Sequence, residues 1–179
     1  MKRNVATDLL CVIAALTAWD ASWLWAQEKV ELKEAVVFEL PDFHICPPLT
    51  WQTIAESDYA LAYSGETFDG IQSLISVDLT MAYPRVELTN MVTQLNEVLQ
   101  KSAAEPDFKI LQNFDCTVVD KLAHDFEYCN VNDGKKIHIR QILVVQGNLQ
   151  AIISLQCADS VFVAQNHIFD AVLATVQLK

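Results

Sequence analysis

An α+β fold built on a largely antiparallel sheet is predicted by three features of the chain. Four long runs rich in β-branched and aromatic residues follow residue 108, and two tight-turn pairs, Asp133-Gly134 and Gly147-Asn148, lie between them. The segment Ile75-Ser76-Val77-Asp78-Leu79-Thr80-Met81 alternates apolar and polar residues strictly, which sets one row on a core and the other in water or on a polar surface. Two stretches with helical spacing, one before the four runs and one after them, supply covers for such a sheet.

The elements follow in order. Val36 to Leu40 is an apolar strand, and Pro41, Pro47 and Pro48 then impose a rigid loop before Trp51. Tyr59 to Tyr63 alternates large and small side chains and ends at Gly65, a short second strand; 75–81 is the third. Pro84 stands where a helix could begin. Leu88, Met91, Val92, Leu95, Val98 and Leu99 recur at three- and four-residue intervals, giving about four amphipathic turns. Strands are predicted at 109–119, 122–131, 136–146 and 149–158. A closing helix carries Val161, Phe162, Ile168, Phe169, Val172, Leu173 and Val176, with Asp159 or Ser160 as its cap. The order β-β-β-α-β-β-β-β-α has connections too short for parallel crossovers. In the last strands both parities carry large apolar side chains, Ile137, Ile139, Leu143 and Val145 on one and Ile142 and Val144 on the other. Both faces are therefore expected to be covered, one helix on each, as an α/β/α sandwich.

The first 26 residues read as a secretory signal peptide. Lys2 and Arg3 precede a short apolar run from Leu9 to Ala18, and Leu24-Trp25-Ala26 offers a cut before Gln27, with Ala18 as a second cut point. Asp8 and Asp20 flank that run and oppose its insertion into an apolar environment, which keeps open the alternative of an amphipathic N-terminal extension or a misplaced start codon. Cys11 lacks the small residue that lipidation requires before it. On this reading 27–34 is a short extension and 35–179 a single domain, periplasmic or secreted, with no transmembrane anchor in the mature chain.

The chain carries 12 basic and 23 acidic residues, a formal net charge of −11. Removal of residues 1–26 takes two of each sign and leaves that balance unchanged. Such a field repels phosphate backbones and anionic lipid heads, so nucleic acid is disfavoured as a partner. Four of the five cysteines lie beyond residue 26, and in an exported chain they permit two disulfides with three connectivities.

The segment Phe38-Glu39-Leu40-Pro41 followed by Trp51, the amphipathic helix after the third strand, the four-strand meander and the ending Phe169-Asp170-Ala171-Val172-Leu173-Ala174-Thr175-Val176 form a recognisable order. Across residues 35 to 178 it resembles the PsbP-like fold, nearest to bacterial DcrB-like exported proteins; relatives of that fold include the oxygen-evolving-complex subunit PsbP and the Eag-type adaptor chaperones of type VI secretion. The resemblance implies a binding or accessory domain at the bacterial cell envelope, generally without catalysis, with a protein or an apolar peptide segment as partner. It transfers no functional residue. An adaptor chaperone and a small cysteine-dependent enzyme are the competing readings. The first calls for a continuous apolar groove, the second for a solvent-open cysteine beside a base.

Two-residue turns at 133–134 and 147–148 place Cys129 opposite His138, and His138 opposite Cys157. The outer cysteines of that row are then roughly 10 Å apart, too wide for tetrahedral ligation and beyond the roughly 7 Å limit of a disulfide. No metal site and no cofactor are expected. A Cys/His nucleophile pair in mid-sheet lacks a cleft and an oxyanion pocket, and no serine sits in a Gly-x-Ser-x-Gly elbow, so no catalytic residue is assigned. His44, His124 and His167 are read as isolated surface or capping residues, and Glu127 and Arg140 as a cross-strand pair. The pair open to a disulfide is Cys46 and Cys116, a proline-rich loop cysteine and one near a strand end.

Overall fold

The turns dictate the sheet. In the computed structural model, which describes residues 29–38, 42–105 and 107–178, Asn132 pairs with Lys135 and Gln146 with Leu149, so both loops hold two residues as their sequences require. Asp133 and Gly134 both have positive φ, the mirror-image geometry that matches the twist of a hairpin. The long strands are β4 (Leu61–Phe68), β5 (Ile71–Met81), β6 (Lys109–Val118), β7 (Lys121–Asn132), β8 (Lys135–Gln146) and β9 (Leu149–Ala158). With the short β3 (Gln52–Thr53) they form one sheet in the order β3-β4-β5-β9-β8-β7-β6, with every neighbour antiparallel. A second, three-stranded sheet joins β1 (Val36–Phe38), β2 (Phe43–Ile45) and β10 (Gln177–Leu178) in the order β1-β2-β10. The described helices are α1 (Leu88–Ser102) and α2 (Phe162–Leu173), the latter entered through a 3-10 turn at Asp159–Val161.

Alternation along β8 and β9 divides the core in two. Ile142, Val144, Ala151, Ile153, Leu155 and Cys157 join Phe169, Val172 and Leu173 of α2 and Phe43 and Ile45 of β2 in the larger cluster. Leu143, Phe126 and Ile152, one residue out of phase, meet Leu88, Met91, Val92, Leu95 and Leu99 of α1. The strict alternation of 75–81 has the same origin: Ile75 and Val77 are buried, while Asp78 and Thr80 are exposed.

Several boundaries differ from the sequence reading for identifiable reasons. Gly65 does not end its strand. The strand runs on to Phe68 through a register shift between Ser64 and Thr67, and a Cβ at 65 would strike the Trp51 indole, so glycine is there to let that ring lie against the backbone. The real hairpin is Asp69-Gly70, both at positive φ. Neither Asp159 nor Ser160 caps α2 through its side chain, because both are engaged elsewhere. The chain does not end in helix: α2 stops at Leu173, and β10 returns to pair with β2. The strands β2 and β3 have too few residues to show a period and escaped the pattern.

Residues from Glu31 onward form one unit. The extension is fastened to the proline-rich loop by a bridge between Leu32 and Pro48 and by a bond from the Lys33 amide to the Pro47 carbonyl at 2.8 Å. The signal segment 1–26 lies outside the described residues. Among the described residues, no helix is long and apolar enough to cross a membrane.

Candidate functional site

The row foreseen in the sequence exists. Cys129 lies opposite His138 and His138 opposite Cys157, all three buried. The 3-10 turn adds a member that strand spacing could not supply. Asp159 Oδ1 accepts from Cys129 Sγ at 3.4 Å and lies 3.0 Å from His138 Nδ1, while His138 Nε2 lies 3.0 Å from Glu127 Oε1. With a carboxylate on each ring nitrogen, both contacts are hydrogen bonds only when both nitrogens carry protons. Phe162, the first residue of α2, stacks flat on the imidazole with centroids 3.4 Å apart and planes 2° from parallel. Lys136 Nζ donates to the other oxygen of Asp159 at 2.8 Å and, with His138 and Cys129, holds that carboxyl below its usual range. Burial first, and then Asp159, pushes the Cys129 thiol up to about 11. Cys129 Sγ, one His138 nitrogen and a carboxylate oxygen of Asp159 all lie within 4.8 Å of one another, the set of side chains that could hold a metal.

The cross-strand pair is corrected by the same geometry. Glu127 and Arg140 are opposite in register, but Glu127 turns to His138, and Arg140 forks onto Asp125, with Nε and Nη2 each reaching Oδ2, at 3.0 and 2.7 Å. Arg140 Nη1 extends to Asp170 and Asn166 of α2. Burial opposes its charge, but the two carboxylates outweigh that and raise its pKa further. His124 is likewise not a surface residue: it is buried, with Nδ1 2.6 Å from Asp115 Oδ1 and Nε2 2.6 Å from Asn113 Oδ1. His44 sits 3.0 Å from Asp42, and His167 is half-buried on α2. All four described cysteines carry free thiols, Cys46 just after β2 of the small sheet and Cys116 in β6 of the large one.

The second feature is a groove that α1 leaves open. Across four strands the register aligns Gln141, Ser154, Ser76 and Ala62, so small and polar side chains form a low floor. Gln141 Nε2 donates to Ser154 Oγ at 3.2 Å, and Tyr128 Oη donates to Gln141 Oε1 at 3.4 Å. Leu74, Ile139 and Tyr128 border this floor in a cavity of about 210 Å³, and Tyr59, nearly half exposed, is shared with an adjoining cavity of about 320 Å³ beside Ile54 and Asp58. A polar cavity of about 450 Å³ lies elsewhere, between Gln52, Glu66, Gln72 and Gln165.

Solved structures of this shape are known. The chain superposes on LpqN of Mycobacterium tuberculosis, described as involved in cell envelope biogenesis, with a TM-score of 0.65 at 13% identity over 85% of this chain and 92% of that one. Cyanobacterial PsbP from Synechocystis gives 0.60 at 11% identity over 86% and 96%. The chain has the PsbP-like fold. The Saccharomyces cerevisiae Ran-binding protein Mog1p matches with 0.55 at 14% identity over 84% and 96%. No family profile matches the sequence, and no curated protein sequence matches it.

Proposed function

We infer that this chain is an exported, non-enzymatic accessory domain of the bacterial cell envelope, of the DcrB-like kind, that holds an extended segment of a protein partner in the groove beside α1. The single observation that carries this reading is the cavity in which Gln141, Ser154 and, buried at its base, Ser76 make a polar floor between Leu74, Ile139, Tyr128 and Tyr59. On the same reading the two out-of-phase core clusters are the two faces of an α/β/α sandwich, with α1 covering only the Phe126–Leu143–Ile152 end of its face. Borders of this kind grip side chains while floor hydroxyls and amides meet a peptide's backbone.

The likeness to a cell-envelope protein supports the location, and the likeness to a Ran-binding protein supports a protein partner. The competing readings find less support. An Eag-type adaptor calls for a continuous apolar groove, whereas the floor here is polar. A cysteine enzyme calls for an open, acidic thiol, whereas Cys129 is 2% exposed and its thiol stands at about 11.

The test is affinity capture from the native envelope with the wild-type chain and with Ser154→Arg, whose guanidinium would fill the groove. Capture of one partner that drops at least tenfold with Ser154→Arg, while the melting temperature holds, supports the reading. Equal capture by both chains overturns it.

A further inference from the structure

We propose that Cys129, His138 and Asp159 form a binding site for one divalent ion of the zinc class, with the fourth position left to water or to a group from outside the chain. This goes beyond the accessory-domain reading and does not depend on it.

The first argument is spacing. In a tetrahedral site with bonds of about 2.0 Å to nitrogen or oxygen and 2.3 Å to sulfur, neighbouring ligand atoms stand roughly 3.2–3.7 Å apart. Cys129 Sγ and Asp159 Oδ1 are 3.4 Å apart, His138 Nδ1 and Asp159 Oδ1 are 3.0 Å apart, and all three ligand atoms lie within 4.8 Å of one another. The ligands also come from three successive elements, β7, β8 and the 3-10 turn, so the surrounding fold sets their positions.

The second argument is the support behind them. Glu127 Oε1 lies 3.0 Å from His138 Nε2, so a proton kept on Nε2 leaves the Nδ1 lone pair facing Cys129 and Asp159. Metal-bound histidines usually have such a carboxylate behind them. Phe162 fixes the plane of the ring. Lys136 occupies only Oδ2 of Asp159, which leaves Oδ1 for the ion.

The third argument is chemical type. A thiolate, an imidazole and a carboxylate together suit zinc better than calcium or magnesium, which prefer oxygen alone. On binding, the Cys129 thiol releases its proton to solvent, His138 offers the Nδ1 lone pair, and the ion takes the place of the contacts to Asp159 Oδ1. The access route is the Asp159 side, because that side chain is one-third exposed while Cys129 and His138 are buried. The sequence row contained two of the three ligands; the rejected third, Cys157, is two strands from Cys129, and Asp159 takes its place.

The test titrates the reduced full-length chain with Co²⁺, whose thiolate charge-transfer band in the near ultraviolet reports sulfur coordination directly. Binding of one ion per chain is expected, with that band present and displaced by Zn²⁺. Cys129→Ala should abolish the band. Asp159→Asn, with its circular dichroism and melting temperature checked in the metal-free chain, should weaken binding at least tenfold, and Cys157→Ala should leave the band in place. Absence of the band at millimolar Co²⁺, or a band that survives Asp159→Asn and Cys129→Ala undiminished, overturns the site.

Discussion

Val119 shows how much a single backbone angle decides. It occupies the first position of the two-residue turn between β6 and β7 at φ +45°, followed by Asp120 at +65°. A β-branched side chain is disfavoured there, since its Cβ crowds the carbonyl, at a cost of about 1–2 kcal/mol. Its side chain is 46% exposed, so packing contributes little in return. Val119→Asn should therefore raise stability by about 1 kcal/mol, read as a melting temperature about 2–4 °C higher; an unchanged or lower value would contradict the strain. The buried thiols set a second residue-scale expectation. Burial, and then Asp159 and Cys129, push Cys157 up to about 12, whereas an unfolded thiol ionises near about 8.5. Above that pH the unfolded chain has lost a proton that the folded chain retains. The stabilisation is full below about 8.5 and is lost as pH rises towards 12. Urea melts at pH 8 and pH 10 should show a smaller alkaline loss for Cys157→Ala than for wild type.

At the scale of elements, the long strands and the helical stripes were legible because their periods repeat many times. The twelve residues of β8, with a glycine turn at each end, leave one register with β7 and with β9, and the Cys129–His138–Cys157 row follows from that register alone. The short strands were not legible: β2 and β10 hold three and two residues, too few for any period, and they exist because they pair with each other over the Phe43 and Leu178 side chains. Asp159 was misread for a related reason. Its position after β9 is that of a cap, and only the three-dimensional return of the turn to β7 and β8 gives it Cys129, His138 and Lys136 instead. Helix α1 carries the element-scale prediction. Its stripe of Leu88, Met91, Val92 and Leu95 is half-buried against Phe126 and Leu143. Leu95→Asp should cost about 3 kcal/mol by placing a carboxylate in that contact, while the exposed Glu97→Lys should stay within about 0.5 kcal/mol. A Leu95→Asp chain that melts like wild type but no longer captures its partner would make the stripe an interface.

For the molecule as a whole, the order of strands explains why a groove is present. The sheet is seven strands wide, and α1 crosses from β5 to β6, at the far edge, with its apolar residues gathered over β7 and β8. A helix of 15 residues cannot cover that width, so a cavity remains over Gln141 and Ser154, with Ser76 buried at its base. Alternation in 75–81 already announced a polar row; what covers it, or leaves it open, is a matter of where the helix lands, which periodicity does not encode. The most direct measurement is site-specific photocrosslinking in the native envelope, with a photoreactive side chain placed at Tyr59 on the groove border and, separately, at Glu97 on the outer face of α1. A partner adduct from position 59 with none from position 97 is the predicted result. Adducts from position 97 alone would contradict the groove as the binding site.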